Sequence, residues 1–506
     1  MSQQLLISNR HKGSNSFCGY VFKGDELFHS EISVPNLQDL LSKYEENCGV
    51  FLASLQDGDI LRIFTDPLGQ FPVFYYTRGS DYVVGQDFFE VINNIPTVEI
   101  NHDCVTDYVT YFSPLNQETL VRSVRRLKPF ETIEIHPEGM KILRRYPFVD
   151  DAPYESLVKH AASRIRGRAR ALLRSFVPVA HLSGGMDCRL SVASLIAEGF
   201  KGSVFSFGNG RSEDRLISHE IANKFGMTEA GRRWYNAPLK TIPDMKRALR
   251  RFNGMKVINM TNFGVGQPDY SYSEVTGYFS EGLLKGFGRV LQGTEFVMFS
   301  YGRKTSSLPE EAFERPNIRA ETEFRSILDD VSGHTALANC LHYLQNRSPG
   351  HFGMHSVVTN KKCVSIDLIY DPFLLNLVRK APYNEAIIRG GAIILDLTKQ
   401  VHTPEFATFP YDNRTLFRHA EWTHAVKSPS CFEPYAAAQI DLDALPVTNF
   451  SSEAGLPGPA VSEAEDHLAK ILSDYPLLHT TRNGTRAVEL VARKALLCLL
   501  DDLLSG

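Results

Sequence analysis

The chain has 506 residues, enough for two to four domains at about 100–200 residues each, so a single small module is excluded. Apolar residues make up 43% and charged residues 22%, the balance of a chain that can bury cores; 54 basic against 58 acidic side chains leave a formal charge of −4, which offers no footprint for gripping a phosphate backbone or an anionic membrane. No run reaches the roughly 18–20 uninterrupted apolar residues of a membrane helix: the nearest, 386–397 and 495–504, are broken by Arg389 and by Asp501 and Asp502. Neither nucleic acid nor a membrane is expected as a partner. The first seven residues carry no basic head, which does not support a secretory signal. Eight cysteines are scattered without a C-x-x-C pair or zinc spacing, which predicts reduced thiols, a cytoplasmic setting and no structural metal.

In chain order, residues 1–150 read as a β-rich domain. Runs at 49–55, 59–64 and 71–76 are apolar or alternating and are separated by Asp57-Gly58-Asp59 and Asp66-Pro67-Leu68-Gly69 turns, which predicts a meander of hairpins. A further hairpin is expected at 131–146 around Pro137-Glu138-Gly139. The stretch Asp150-Asp151-Ala152-Pro153 then marks a domain boundary, with a second domain over 151–506. From 154 to 175, Leu157, Ala161, Ile165, Ala169 and Leu172 recur at helical spacing with arginines on the other face. A strand over 176–182, a glycine turn, a helix ended by Gly199, a strand over 204–207 and a helix over 215–225 follow. That alternation predicts a doubly wound parallel α/β sheet. Beyond about residue 320 the pattern is mostly helical, with an exposed polar loop over 447–459.

The segment Leu182-Ser183-Gly184-Gly185-Met186-Asp187-Cys188 sits where a buried strand turns into a helix. Two glycines let successive N–H groups, with the Ser183 hydroxyl and the helix N-terminus, point at a pyrophosphate. A carboxylate beside an anion is repulsive unless a cation bridges them, so Asp187 argues for Mg²⁺. The same residues also suit a plain strand-to-helix turn with Asp187 as its cap.

Ser183-Gly184-Gly185-Met186-Asp187-Cys188 resembles the S-G-G-x-D-S loop of N-type ATP pyrophosphatases. The surrounding chain resembles, in order over residues 18–415, the asparagine synthetase superfamily. The run Asp66-Pro67-Leu68-Gly69-Gln70-Phe71-Pro72-Val73-Phe74-Tyr75-Tyr76 is similar to that family's D-x-x-G-x-x-P-L-Y-Y turn. Glu118-Thr119-Leu120 with Val124–Pro129 is similar to its T-L-F-x-x-I-x-x-L-x-P-G run. Ser206-Phe207-Gly208 and Ser212-Glu213-Asp214 are similar to its second strand and following helix. Residues 276–286, Thr-Gly-Tyr-Phe-Ser-Glu-Gly-Leu-Leu-Lys-Gly, are similar to S-G-E-G-A-D-E-L-F-G-G and closer to the T-G-Y-G-S-D form of β-lactam and carbapenam synthetases.

The resemblance implies a shortened Ntn-hydrolase-like first domain and an adenine-nucleotide α-hydrolase-like PP-loop second domain, in all α/β plus α+β. It implies ATP contacts from Leu182 through Cys188 and from Ser206, Phe207 and Gly277. Asp187 and Glu281 would bind Mg²⁺, Glu281 standing where the family has aspartate, and Gly277 and Tyr278 would flank the reacting carboxylate. Read from the residues alone, Glu281 also suits an exposed position after a strand.

Two departures shape the functional expectation. Glutamine-dependent members begin with a catalytic cysteine whose own α-amine is the base. Here Cys18-Gly19-Tyr20-Val21 is internal, so its nitrogen is an amide and glutaminase activity is expected to be lost. The family's amide-forming lysine is missing from 404–414, where Arg414, or else Lys399 or Arg389, could supply the cation. Cys188 is taken to replace a phosphate-contacting serine. The expected activity is an ATP-dependent, AMP-forming carbon–nitrogen ligase joining a small-molecule or peptide carboxylate to ammonia or an amine. A nucleotide-binding regulatory pseudoenzyme is the alternative. A homodimer or a complex with a pathway partner fits either reading.

Overall fold

The computed structural model describes residues 5–8, 14–111, 114–144, 150–206, 213–229, 242–255, 269–271, 273–285, 291–292, 295–296, 314–407, 409, 411 and 496. It is a mixed α/β structure with antiparallel sheets first and a parallel sheet after them.

Ten strands precede residue 145: β1 (Leu6–Ser8), β2 (Ser16–Lys23), β3 (Glu26–His29), β4 (Phe51–Asp57), β5 (Ile60–Thr65), β6 (Phe74–Arg78), β7 (Asp81–Gly85), β8 (Val124–Arg126), β9 (Glu131–His136) and β10 (Gly139–Arg144). They form a six-stranded sheet, β10-β9-β5-β4-β2-β3, and a four-stranded one, β1-β7-β6-β8. The expected hairpins are present: Asp57 pairs with Ile60 across Gly58, and Gly139 pairs with His136. Period-two alternation gives the larger sheet two apolar faces. Leu52, Leu61, Ile63 and Ile133 join the main core with Tyr75 and Val84 of the smaller sheet. Phe51, Ala53, Leu55 and Phe64 face the other way and pack with Leu40 and Leu41 of a short helix, α1 (Leu37–Ser42). Helices α2 (Phe88–Asn93) and α3 (His102–Tyr111) complete this half.

Helix α4 spans Tyr154–Ser175, the bounds its periodicity predicts. Then come β11 (Val179–His181), α5 (Asp187–Ala197), β12 (Ser203–Phe205), α6 (Glu213–Phe225), β13 (Thr228–Glu229), α7 (Ile242–Arg251), β14 (Ser273–Thr276), a small hairpin of β15 (Leu291–Gln292) and β16 (Glu295–Phe296), α8 (Glu314–Asp330), α9 (Thr335–Asn346), α10 (Met354–Asn360) and β17 (Val364–Asp367). Helices α11 (Leu375–Lys380), α12 (Glu385–Arg389), α13 (Ala392–Val401) and α14 (Pro404–Ala407) follow. The parallel sheet runs β13-β12-β11-β14-β17. Its last strand interrupts the stretch read as helical: Val364-Ser365-Ile366-Asp367 is buried at every position, so it shows no alternation to betray a strand. The expected polar loop at 447–459 lies outside the described residues. The six described cysteines are free thiols, and no described helix is long and apolar enough to cross a membrane.

One core runs through both halves, and buried polar groups fix how they meet. The Asp66 turn is the main joint. Asp66 accepts hydrogen bonds from the N–H groups of Gln70 (3.0 Å) and Phe71 (2.8 Å) and from the Tyr370 hydroxyl. Gln70 donates to the Leu344 carbonyl (3.1 Å) and accepts from Ser348 (2.5 Å). Gly353 lies so close to the Gln70 carbonyl that a Cβ there would run into it.

Two buried carboxyls on this framework take opposite courses. Asp371 is fully buried, and burial alone would push its pKa up. Arg164 (Nε, 2.7 Å) and Arg168 (Nη1, 2.6 Å) instead hold it well below the usual carboxylate range. Arg168 sits on the core-facing side of α4 for this reason, and both guanidinium groups also reach Cys48 of the β-rich half. Glu274, in β14, is buried with no such cation among the described residues, and burial raises its pKa to about 7.

Asp371→Asn should therefore cost about 3–5 kcal/mol in urea unfolding, since it strands two arginines of which Arg168 is deeply buried. For Glu274 the sign is reversed. The folded state holds a proton that the unfolded chain has released, so between pH 4.5 and 7 stability falls as pH rises, by up to about 1.4 kcal/mol per unit. Glu274→Gln should flatten that slope when unfolding midpoints are compared at pH 5 and pH 8.

Candidate functional site

The order of the parallel sheet determines where a ligand can sit. From β11 the chain builds outward through β12 and β13, then returns to place β14 on the other side of β11. The strand order thus reverses between β11 and β14, the usual ligand position in open α/β sheets. The Ser183–Cys188 loop leaves β11 there, and Gly277 and Tyr278 leave β14.

The two segments touch. A Cβ on Gly277 would lie 2.7 Å from the Asp187 carbonyl oxygen and 2.8 Å from the Cys188 Cα, so only glycine lets the turn after β14 lie on the first turn of α5. Ser280, fully buried, donates to Asp187 Oδ1 (3.0 Å) and the Gly277 carbonyl (2.7 Å). Asp367, at the end of β17, accepts from the Phe279 N–H (3.0 Å) and Thr276 Oγ1 (3.4 Å). Burial raises the Asp367 carboxyl to about 6. Asp187 thus stands at the helix N-terminus, where its charge is favoured, and is oriented by the partner segment. Glu281 opens a single π-helical turn, Glu281–Lys285, directly after Ser280.

Lys285 ends that turn with its Nζ 2.7 Å from Asp187 Oδ2. This lysine lies within the 276–286 segment, where the family resemblance implies no role for it. The expectation beside Asp187 is Mg²⁺; among the described residues the group that stands there is the Lys285 ammonium. The only signal was its position four residues after Glu281, about one helical turn on.

The loop itself is closed by its own atoms. Cys188 Sγ accepts from the Ser183 N–H (3.2 Å) and lies 3.0 Å from the Ser183 hydroxyl, and burial pushes the thiol up to about 11. The cysteine therefore shapes the loop as a neutral, buried group and is turned toward Ser183. The Gly185 N–H donates to Ser183 Oγ (3.1 Å), and the Gly184 N–H to Asp214 Oδ1 (2.9 Å). The Asp214 carboxylate, from the first turn of α6, thus takes one of the donors that a phosphate would use. Leu182 is buried and bonds β12 through the Phe205 carbonyl (2.9 Å), Met186 is buried at the start of α5, and Ser206 follows β12.

Tyr278 packs in an aromatic cluster. Its ring stacks on Phe352 at 5.6 Å and 5°, and lies 5.8 Å from His181 and 5.5 Å from His355. His181, at the end of β11, packs on Phe205 (5.2 Å), and burial lowers its pKa to about 4, so the imidazole is neutral at pH 7. This aromatic and histidine wall had no signature in sequence, because Phe352 and His355 lie far along the chain from the residues they meet.

Arg189 is buried, donates to the Phe409 carbonyl (2.7 Å) and lies 3.7 Å from the Tyr411 ring centroid. It thereby fastens the segment after α14 to the loop. Of the three candidate cations, Arg389 pairs with Glu385 on α12, Lys399 lies near the end of α13, and Arg414, like Phe207, lies outside the described residues. Among the described residues no group of three or more His, Cys, Asp or Glu side chains could hold a metal. The donor set fits magnesium only in the way that ion is held beside phosphates, by one or two carboxylates with the remaining ligands from substrate and water. Asp187 is of that kind, and Glu281 follows the serine that bonds to it.

No protein-family model matches the chain, and no curated protein matches its sequence. Among solved structures it is similar to a glutamine phosphoribosylpyrophosphate amidotransferase from B. subtilis complexed with ADP and GMP. That match has 13% identity and a TM-score of 0.17 over 56% of this chain and 59% of that one. It is also similar to an allosteric regulatory enzyme of purine biosynthesis, with 15% identity and a TM-score of 0.16 over 56% of this chain and 57% of that one. The chain thus spans less than two thirds of the length of either structure.

Proposed function

We propose that the chain is an ATP-dependent ligase of the asparagine synthetase type, with a PP-loop nucleotide site in its parallel sheet and a β-rich half descended from an Ntn-type glutaminase. A substrate carboxylate attacks the α-phosphorus of ATP and expels pyrophosphate. An amine then attacks the acyl carbon of the acyl-adenylate, loses a proton and releases AMP, leaving an amide. The observation that carries this reading is the contact between the Ser183–Cys188 loop and the turn after β14, made through Gly277 and Ser280 at the point where the sheet order reverses.

In this reading Gly184, Gly185 and the start of α5 cradle the phosphates, and ATP binding displaces Asp214 from the Gly184 N–H. Magnesium, when bound, neutralises phosphate charge and polarises the leaving group; Asp187 and Glu281 would hold it. Tyr278 and the neutral His181 line the side where the acyl group would lie. Lys285 moves from Asp187 to a phosphate oxygen, or stays as a fixed positive charge beside it. Cys18 lies inside β2, paired with Leu52, and its backbone nitrogen is an amide, so the amine is not drawn from glutamine in this half.

The Lys285–Asp187 pair favours a second reading in one respect. A protein that binds nucleotide without turnover could use the ammonium in place of the metal.

Asp187→Ala should abolish ATP–pyrophosphate exchange while leaving the thermal unfolding midpoint close to that of the wild type. Unchanged exchange would show that the loop is a plain strand-to-helix turn. Glu281→Asp should keep much of the activity and Glu281→Gln lose most of it, roughly 10²-fold or more, because charge on the metal matters more than reach. Lys285→Met separates the two readings. A ligase keeps magnesium-dependent ATP binding, whereas a metal-free nucleotide binder loses ATP binding and makes no AMP with any carboxylate, which calorimetry and AMP release together measure. Full-length protein should release no glutamate from glutamine; release would return the catalytic role to the β-rich half.

A further inference from the structure

A cavity of about 490 Å³ opens where the end of β10 meets helices α8, α9 and α11, and none of its lining residues belongs to the Ser183–Cys188 loop or to the turn after β14. A volume of that order suits a small molecule, and the junction of two halves of a chain is a common place for one.

Its apolar wall comes from the small core between α8 and α9. Val331 and Leu341 pack against Phe324, Ile327 and Ala338, yet both remain partly exposed and line the cavity. Leu337, one turn before Leu341 on α9, stands in the same wall with 9% of its surface open. Apolar surface left facing water in a concave site gains free energy when an apolar body covers it.

The charged rims differ. On one side Arg144 and Asp330 match each other as an ion pair, Nη2 to Oδ2 at 3.0 Å. On the other side Arg379 and Lys380, the last residues of α11, share one carboxylate. Arg379 Nη2 donates to Asp151 Oδ1 (3.1 Å) and to the Asp150 carbonyl (2.5 Å), and Lys380 Nζ lies 2.9 Å from the same Asp151 oxygen. Asp151 is 78% exposed, so water screens this pairing and it holds the two cations weakly. Among the described residues Arg379 Nη1 has no hydrogen-bond partner, and Lys380 spends one of its three N–H donors. Three cations therefore face two carboxylates, an excess of one positive charge. The rim and the wall are held at a set separation: His334 caps α9 by accepting from the Leu337 N–H through Nδ1 (3.3 Å), and its Nε2 reaches the Arg379 carbonyl (2.9 Å).

We infer that this cavity binds a small monocarboxylate with an apolar body, of the class of medium-chain fatty acids. The carboxylate accepts from Lys380 Nζ and Arg379 Nη1, and the hydrocarbon lies on Leu337, Leu341 and Val331. One negative charge on the ligand matches the one positive charge in excess. The site does not depend on the ligase reading.

The test is calorimetric titration of the full chain, without nucleotide, with octanoate, octylamine and acetate below their aggregation limits. Octanoate should bind saturably, acetate should not, and octylamine should bind at least about tenfold more weakly than octanoate. Lys380→Arg should keep most of the octanoate affinity, and Lys380→Gln should lower it about tenfold. Lys380→Glu should reverse the order, so that octylamine binds more tightly than octanoate, with a melting temperature close to that of the wild type because the residue sits on the rim. Leu341→Ser should weaken octanoate with both cations in place. Octanoate bound equally well by wild type and Lys380→Glu would lie elsewhere, at the acyl side of the nucleotide site for example, and the inference would fail. Absence of saturable octanoate binding, or equal affinity for octanoate and octylamine in the wild type, overturns it as well.

Discussion

A parallel sheet that reverses its winding direction cannot cover the carboxyl ends of the two strands at the reversal, and this constraint organises the molecule. Connections from β11 and β14 must leave in opposite directions. Whatever fills the crevice between them must come from short turns that lie close together, and close approach is what Gly277 permits against Asp187 and Cys188. Once the turn after β14 rests on α5, Ser280 reaches Asp187 and the following helical turn brings Lys285 to the same carboxylate. The cluster of charge at the crevice is a consequence of strand order before it is a consequence of any one side chain.

The β-rich half supports that arrangement from below. Asp367 shapes the turn after β14 through the Phe279 N–H, and its own N–H is bonded to the Tyr20 hydroxyl of β2 (3.1 Å). Tyr370, three residues on, reaches Asp66 in the turn before β6. The His29 Nε2 lies 3.0 Å from Asn360 Oδ1, and Asn360 in turn orders Ser365 at the start of β17. Strand β17 is thus held by β14 on one edge and by polar groups of the first half near both of its ends. The β-rich half has a mechanical role here whatever else it does, since without it buried polar atoms of β17 would lose their partners.

What could be read in the chain beforehand follows from which forces act locally. Helix α4 was legible to its last residue because amphipathic spacing is a local pattern, and the hairpins at Gly58 and Gly139 were legible because turn chemistry is. Strand β17 was hidden because burial on both faces erases periodicity. The Ser183–Cys188 loop was visible as a motif, but the roles of its atoms were not. Asp214 on the Gly184 N–H, Cys188 turned toward Ser183, and Lys285 on Asp187 are contacts between segments that spacing alone does not bring together. Glu274 could have been suspected, because an acid inside a four-residue buried strand is out of place unless its charge is paired or suppressed.

Both halves of the loop's charge pattern are matched by side chains: a carboxylate, Asp214, stands at a backbone donor suited to phosphate, and an ammonium, Lys285, stands at the carboxylate suited to a metal. Each substitution stabilises an otherwise unmatched group. A loop with its N–H groups unsatisfied, or Asp187 facing only other acids, would be strained in the absence of ligand. The two stand-ins lie on different elements, α6 and the turn after β14, so they can withdraw independently. In the ligase proposed above, a phosphate would take the place of the Asp214 carboxylate at Gly184 and a metal that of the Lys285 ammonium at Asp187.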